Sequence, residues 1–173
     1  MLDTQETTVL TQLKASDLRR PKYLILGANG YIGQALAEVM EESGCDVSVL
    51  SRQEFDITTE VPSDWNYDAV FICAGMSKFI ECEEDRMAYR VNVDGPMGIA
   101  RKVPKMVYLS SDVVERALHT GYGLQKAVAE VGLLAMGNVV VARICKRVNR
   151  ANIVSVCKAL VEISGKPPGL YRI

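Results

Sequence analysis

Tyr122 and Lys126 stand four residues apart in Tyr122-Gly123-Leu124-Gln125-Lys126, a spacing that puts both on one face of a helix. An ammonium beside a phenol favours the phenolate, so the pair predicts a tyrosine of lowered pKa. Such a phenol can give a proton to a carbonyl oxygen, or take one from an alcohol, while hydride moves at the carbon. Ser111, at the end of an apolar run, is the hydroxyl expected to steady the substrate oxygen. Tyr-x-x-x-Lys arises often by chance, so the reading needs a partner elsewhere in the chain.

That partner is Lys22–Gly33. Tyr23–Leu26 is an apolar run of strand length, followed by Gly27-x-x-Gly30-x-x-Gly33 and a helical stretch, Gln34–Glu42. Strand, glycine turn and helix start form a cradle for a dinucleotide pyrophosphate. Gly27 permits a tight turn, Gly30 leaves the amides open, and Gly33 lets the helix lie close to the sheet. Gly27, Asn29, Gly30, Tyr31, Ile32 and Gly33 are therefore the expected cofactor cradle. The spacing differs from the commoner G-x-G-x-x-G, and a glycine-rich packing turn that binds nothing is the competing reading.

Further candidates lie where the other strands end. Ser51-Arg52 follows the second strand, where an acidic residue would hold a ribose 2′-hydroxyl and an arginine a 2′-phosphate. Arg52 thus points to NADP over NAD, against the alternative of a solvated loop arginine. Asp56 either reaches the adenine amine or caps the turn at Thr58-Thr59. Cys73-Ala74-Gly75 closes the third strand. Arg143, Lys146, Arg147 and Arg150 form either a solvated face or a phosphate site. His119, the one histidine, is read as an exposed loop residue, with a proton role the alternative.

The elements that must carry these residues alternate. Strands are expected at Tyr23–Leu26, Asp46–Leu50, Ala69–Cys73, Lys105–Ser110 and Val139–Ile144, with a short edge strand over Leu170–Ile173. Helices are expected at Gln34–Glu42, Glu81–Lys102 with a kink or break at Pro96, Gly121–Met136, and Asn149–Ser164. This predicts an α/β, Rossmann-type doubly wound parallel sheet in one domain, residues 22–173, preceded by an arm, 1–21, with a short helix around Val9–Lys14. A net charge of −1 excludes a broad basic field for nucleic acid. The five cysteines form no C-x-x-C pair, which suits buried thiols in a reducing compartment, and no run is long enough to span a bilayer. The expectation is a cytoplasmic protein without a metal.

These motifs together resemble the extended branch of the short-chain dehydrogenase/reductase superfamily. The resemblance runs from about Lys22 to the C-terminus. Its pieces are the three glycines, Phe55-Asp56-Ile57-Thr58, Cys73-Ala74-Gly75, Val91-Asn92-Val93-Asp94-Gly95, Leu109-Ser110-Ser111-Asp112 and Tyr122-x-x-x-Lys126. The Asp-Ile-Thr and Ser-Ser-Asp segments look most like dTDP-dehydrorhamnose reductases and related nucleotide-sugar enzymes. The resemblance implies a catalytic set of Ser111, Tyr122 and Lys126, with Lys126 also holding the nicotinamide ribose. It adds Ala74, Gly75 and Asn92 to the cofactor site and implies a homodimer built on the helices at Glu81–Lys102 and Tyr122–Met136. The chain departs from that pattern in length: only Asp112–Gly121 separates Ser111 from Tyr122, and little or no substrate lobe follows the later strands. Two functions follow. One is an NAD(P)-dependent oxidoreductase acting on a small-molecule carbonyl or alcohol, such as a nucleotide-sugar; the other is a non-catalytic nucleotide-binding module. A small flavin- or quinone-type reductase is a third.

Overall fold

The computed structural model describes residues 19–59 and 65–173. The short helix expected around Val9–Lys14 lies outside them, as does most of the N-terminal arm. Six parallel strands form one sheet: β1 (Lys22–Leu26), β2 (Asp46–Leu50), β3 (Ala69–Ile72), β4 (Met106–Ser111), β5 (Val139–Ile144) and β6 (Gly169–Arg172), in the order β2-β1-β3-β4-β5-β6. The expected Rossmann-type sheet is therefore present, and the last four-residue strand is its edge.

Both faces are covered, which is why the central strands read as unbroken apolar runs. Alternation sorts each strand between two cores. Leu24, Leu26, Val70, Ile72, Met106, Tyr108, Val139 and Val141 face one core; Ile25, Phe71, Val107, Val140 and Ala142 face the other. Two helices cover the second face: α1 (Tyr31–Glu42) with Leu36, Val39 and Met40, and α7 (Ile153–Ser164) with Val156, Cys157 and Leu160. Between α1 and α7 in the chain lie α2 (Phe79–Glu84), α3 (Arg86–Tyr89), a π-helical turn (Arg90–Asp94), α4 (Gly95–Ala100), α5 (Val113–Arg116) and α6 (Gly121–Leu134). The first face is covered through Val91, Val93, Ile99, Ala129 and Leu133.

The expected single helix over Glu81–Lys102 is in pieces, and Pro96 is not where it breaks. Asp85 is extended (φ −104°, ψ 116°) and its carboxylate accepts from the Met87 amide at 2.7 Å, capping a new helix start. Pro96 is the second residue of α4, directly after the π-helical turn, so the helix changes type beside it while the backbone stays helical through Asp94 and Gly95. The last helix begins at Ile153, four residues later than expected, because Asn149 and Asn152 side chains capture local amides. The short helix α5, in the segment between Ser111 and Tyr122, was not foreseen.

Candidate functional site

β1 has β2 on one side and β3 on the other, so the strand order reverses there and a crevice opens above the strand ends. Gly27 turns off β1 with φ +88°, and a Cβ on it would lie 2.5 Å from the Ala74 backbone nitrogen. A Cβ on Gly33 would lie 2.5 Å from the Gly27 carbonyl oxygen, so α1 sits against the turn only because Gly33 is bare. Gly30 is the residue before α1 and has no side-chain cap, leaving the first helical amides without a protein side chain on them. Asn29, Gly30 and Tyr31 are exposed, Ile32 is half-buried and Gly33 is buried. This is a cradle open to an anion.

Two cavities meet at this turn. One, of about 260 Å³, is lined by Gly27, Asn29, Gly30, Arg52, Asp56 and Ala74, among others. The second, of about 660 Å³, is lined by Ile32, Ser111, Tyr122, Lys126, Lys146 and Arg147, among others. Cys73, Ala74 and Gly75 line both, so the two spaces are halves of one crevice over the sheet.

On the smaller side, Asp56 serves the turn: one oxygen accepts from the Thr58 amide at 2.9 Å and the Thr58 hydroxyl at 2.8 Å. Those bonds, the amide first, hold its carboxyl below the usual carboxylate range. Its other oxygen lies 3.8 Å from Arg52, whose exposed guanidinium projects from the rim. The capping reading of Asp56 therefore has the geometry on its side.

On the larger side, Tyr122 and Lys126 both line the cavity, as their helical spacing predicted. The predicted lowering of the phenol pKa is wrong. Burial pushes the Tyr122 phenol up to about 12, with the nearby Cys82 thiol acting in the same direction. The Lys126 nitrogen lies 6.0 Å from the Tyr122 ring centroid and is committed elsewhere, donating to the Tyr108 hydroxyl at 3.0 Å and the Leu109 carbonyl at 2.8 Å. Burial brings Lys126 itself down to about 8, against the opposing pull of Glu130. Desolvation is the largest influence on each group. Phe79 packs edge-on against Tyr122 at 6.0 Å between ring centroids. Ser111 Oγ accepts from the Val113 amide at 3.3 Å, with Asp112 3.4 Å away.

Asn92 is buried in the π-helical turn and lies beneath the crevice rather than in it. Its side-chain oxygen accepts from the Met76 amide at 2.9 Å, and its amide donates to the Met76 carbonyl and to Gln125, both at 2.8 Å. It thereby pins the segment after Gly75 to α6.

The basic group divides. Arg143 is neither on a solvated face nor at a phosphate site: it is buried and paired with Glu130 and Glu115. Arg172 on β6 also binds Glu115, at 2.5 and 3.0 Å, so the edge strand is tied to α5. Lys146 and Arg147 are exposed on the rim of the larger cavity, and Arg150 and His119 are exposed as well. Sequence reasoning missed Tyr108, Gln125, Glu130 and Glu115. The helical phase of α6 does place Glu130 one turn from Lys126, and the alternation of β4 points Tyr108 into the core that α6 covers. Nothing local marks Glu115, whose partners come from two distant strands.

A parallel sheet with a glycine turn and a crevice at its strand-order reversal defines a Rossmann-type α/β domain. The profile of the family described as "RmlD substrate binding domain" matches residues 21–129, and the chain belongs to that family. A dTDP-4-dehydrorhamnose reductase from Streptomyces griseus is 31% identical over 47% of this chain and 29% of its own length. The chain thus spans under a third of that relative. Among solved structures, the dTDP-4-dehydrorhamnose reductase of Bacillus anthracis in complex with NADP superposes with a TM-score of 0.78 at 19% identity, covering 90% of this chain and 75% of that one. The WbmH enzyme of Bordetella bronchiseptica in complex with NAD+ gives 0.70 at 15% identity, covering 90% and 76%. These structures share the fold. Among the described residues no helix is long and apolar enough to cross a membrane, and no cluster suits a metal ion.

Proposed function

We propose that this chain is an NAD(P)-dependent reductase of a carbonyl substrate, with a nucleotide-linked keto-sugar as the substrate class. The observation that carries it is the joining of the glycine-turn cavity to the Tyr122–Lys126 cavity through Cys73–Gly75. The residues present fit a nicotinamide dinucleotide. A Cβ on Gly75 would meet only the Asn92 side chain, at 3.4 Å, so the backbone there is approachable, and the α1 amides stand open beside it. Gly27, Asn29, Gly30, Tyr31, Ile32 and Gly33 would hold the pyrophosphate. Arg52 would meet a 2′-phosphate, which favours NADP, while Ala74, Gly75 and the ground under them set by Asn92 would flank the cofactor. A nicotinamide bound there would supply hydride for the carbonyl carbon.

The protein's own groups handle the proton and the oxygen. With a pKa of about 12, Tyr122 is protonated near neutral pH and serves as the acid that delivers a proton to the carbonyl oxygen. Ser111, whose hydroxyl donates a long bond to Asp112 at 3.4 Å, turns it to that oxygen as charge builds on it. Lys126 lines the crevice, and in its ammonium form has one N–H beyond those taken by Tyr108 and Leu109. A phenol held protonated suits reduction better than oxidation, which needs the phenolate. Leu124, Val128 and Val131 leave an apolar stripe exposed along α6, which supports a homodimer built on that helix.

Calorimetric titration with NADPH and NADH tests the cofactor, and loss of NADPH absorbance with dTDP-4-dehydrorhamnose tests the reaction. Binding of NADPH, together with turnover that Tyr122→Phe lowers at least about a hundredfold, is the expected result. Turnover unchanged in Tyr122→Phe would reject the mechanism, and no heat with either nucleotide would reject the cofactor.

A further inference from the structure

Tyr108 is the largest fully buried side chain of the sheet, and its hydroxyl is not needed for packing, which a phenylalanine would satisfy. A buried hydroxyl is retained without cost only where both its hydrogen and its lone pairs find partners. Here the hydrogen goes to the Asn92 carbonyl at 3.1 Å, and a lone pair accepts from Lys126 at 3.0 Å. The carbonyl cannot donate, so the direction of the chain is fixed: amine to phenol oxygen, phenol to carbonyl. That carbonyl lies in the π-helical turn, where the regular helical pairing is interrupted.

We propose that Tyr108 is a positioning residue for the Lys126 amine, holding it between the β4 backbone and the π-helical turn so that a single N–H remains for the crevice. The Leu109 carbonyl takes the second N–H at 2.8 Å, so the amine is located by two acceptors one residue apart on β4. Tyr108 in turn is located by Asn92, whose side chain holds Met76 and Gln125. The lysine is therefore referenced to β4, to α6 and to the segment that lines both cavities. The groups that face it are Tyr108 from β4, Tyr122 and Glu130 from α6, Cys73 at the end of β3 and Cys82 from α2. Of these, Glu130 is bound to Arg143 and both cysteines are pushed up by burial, leaving Tyr108 as the polar partner in direct contact. The role of the amine toward a nicotinamide rests on the function proposed above; its placement by Tyr108 does not.

The test is competitive acetylation of the intact protein with trace acetic anhydride over a range of pH. The Lys126 peptide is read by mass spectrometry against the exposed Lys158. In the wild type, Lys126 labels more slowly than Lys158 and with a lower midpoint. Tyr108→Phe keeps the packing but removes the acceptor that favours the ammonium. Its labelling midpoint is expected to fall by about one further unit, with several-fold faster labelling near neutral pH. Should that variant fail to fold, 3-fluorotyrosine at position 108 keeps the hydroxyl as a weaker acceptor and shifts the midpoint the same way by less. A midpoint unmoved by both replacements, or a wild-type Lys126 that labels like Lys158, overturns the proposal. Labelling needs no cofactor, so a wild type that binds no NADPH would sink the proposed function while this experiment still decides the role of Tyr108.

Discussion

Lys126 should make this protein more stable as the pH rises above neutrality. Burial places its folded pKa near 8, against 10.5 when exposed. Between those values the folded state has released its proton and the unfolded chain has kept it, so the unfolded state binds more protons and unfolding becomes harder with pH. Below about 8 both states are protonated and the full cost of burying the charge is present. The whole displacement corresponds to roughly 3 kcal/mol, of which about 2 kcal/mol falls between about pH 7 and pH 9.5. Lys126→Met removes the titration while keeping a long apolar stem. It also removes the donor to the Tyr108 hydroxyl, which keeps its bond to Asn92, and to the Leu109 carbonyl, but that loss is the same at both pH values. Urea unfolding of wild type and variant at the two pH values isolates the lysine, because the tyrosines titrate in both proteins. The stability difference should move by about 2 kcal/mol in favour of the wild type on going to the higher pH. A difference constant to within about 0.5 kcal/mol would mean that the amine is hydrated, and the desolvation argument would fall with it.

The glycine turn gives a paired prediction. Gly44 and Gly27 both have positive φ, but only Gly27 has backbone within 3 Å of the place a Cβ would take. Gly44→Ala should therefore cost about 1–2 kcal/mol and Gly27→Ala distinctly more, and equal melting temperatures would refute the close approach to Ala74. Arg52→Ala should weaken NADPH binding about tenfold and leave NADH unchanged; equal loss for both nucleotides in a calorimetric titration would remove Arg52 from the 2′-phosphate. Glu115→Gln should loosen the edge strand, seen as faster hydrogen exchange at the Cys145 and Ile173 amides, which pair β5 with β6, while β1 and β3 stay protected.

The sheet was legible because the central strands β1, β3, β4 and β5 are largely apolar runs between glycine or polar punctuation, while the edge strands β2 and β6 alternate apolar with polar residues and lie where short runs were expected. The helical pieces around Asp85 and Asn92 were not. Their boundaries are set by a side chain that captures a neighbouring amide and by a turn that widens where Asn92 reaches Met76 and Gln125. Arg143 was misread for a related reason. Its charge stood among other basic residues in the chain, but its partners, Glu130 and Glu115, arrive from α6 and α5.

The Tyr122–Lys126 pair marks where sequence spacing stops being informative. Four residues along a helix do fix that both side chains reach the same cavity. They do not fix the proton, because the energy of each charge depends on the water removed and on acceptors from other elements. Here β4 supplies two acceptors for the amine, and Phe79 helps to cover the phenol. Burial outweighs those acceptors and drives both groups toward their neutral forms: the lysine releases its proton more easily than in water and the tyrosine less easily. A neutral amine gives little help to a phenolate, so near and above pH 8 in the free protein the proton stays on Tyr122. The crevice is consequently set to deliver a proton to an incoming oxygen.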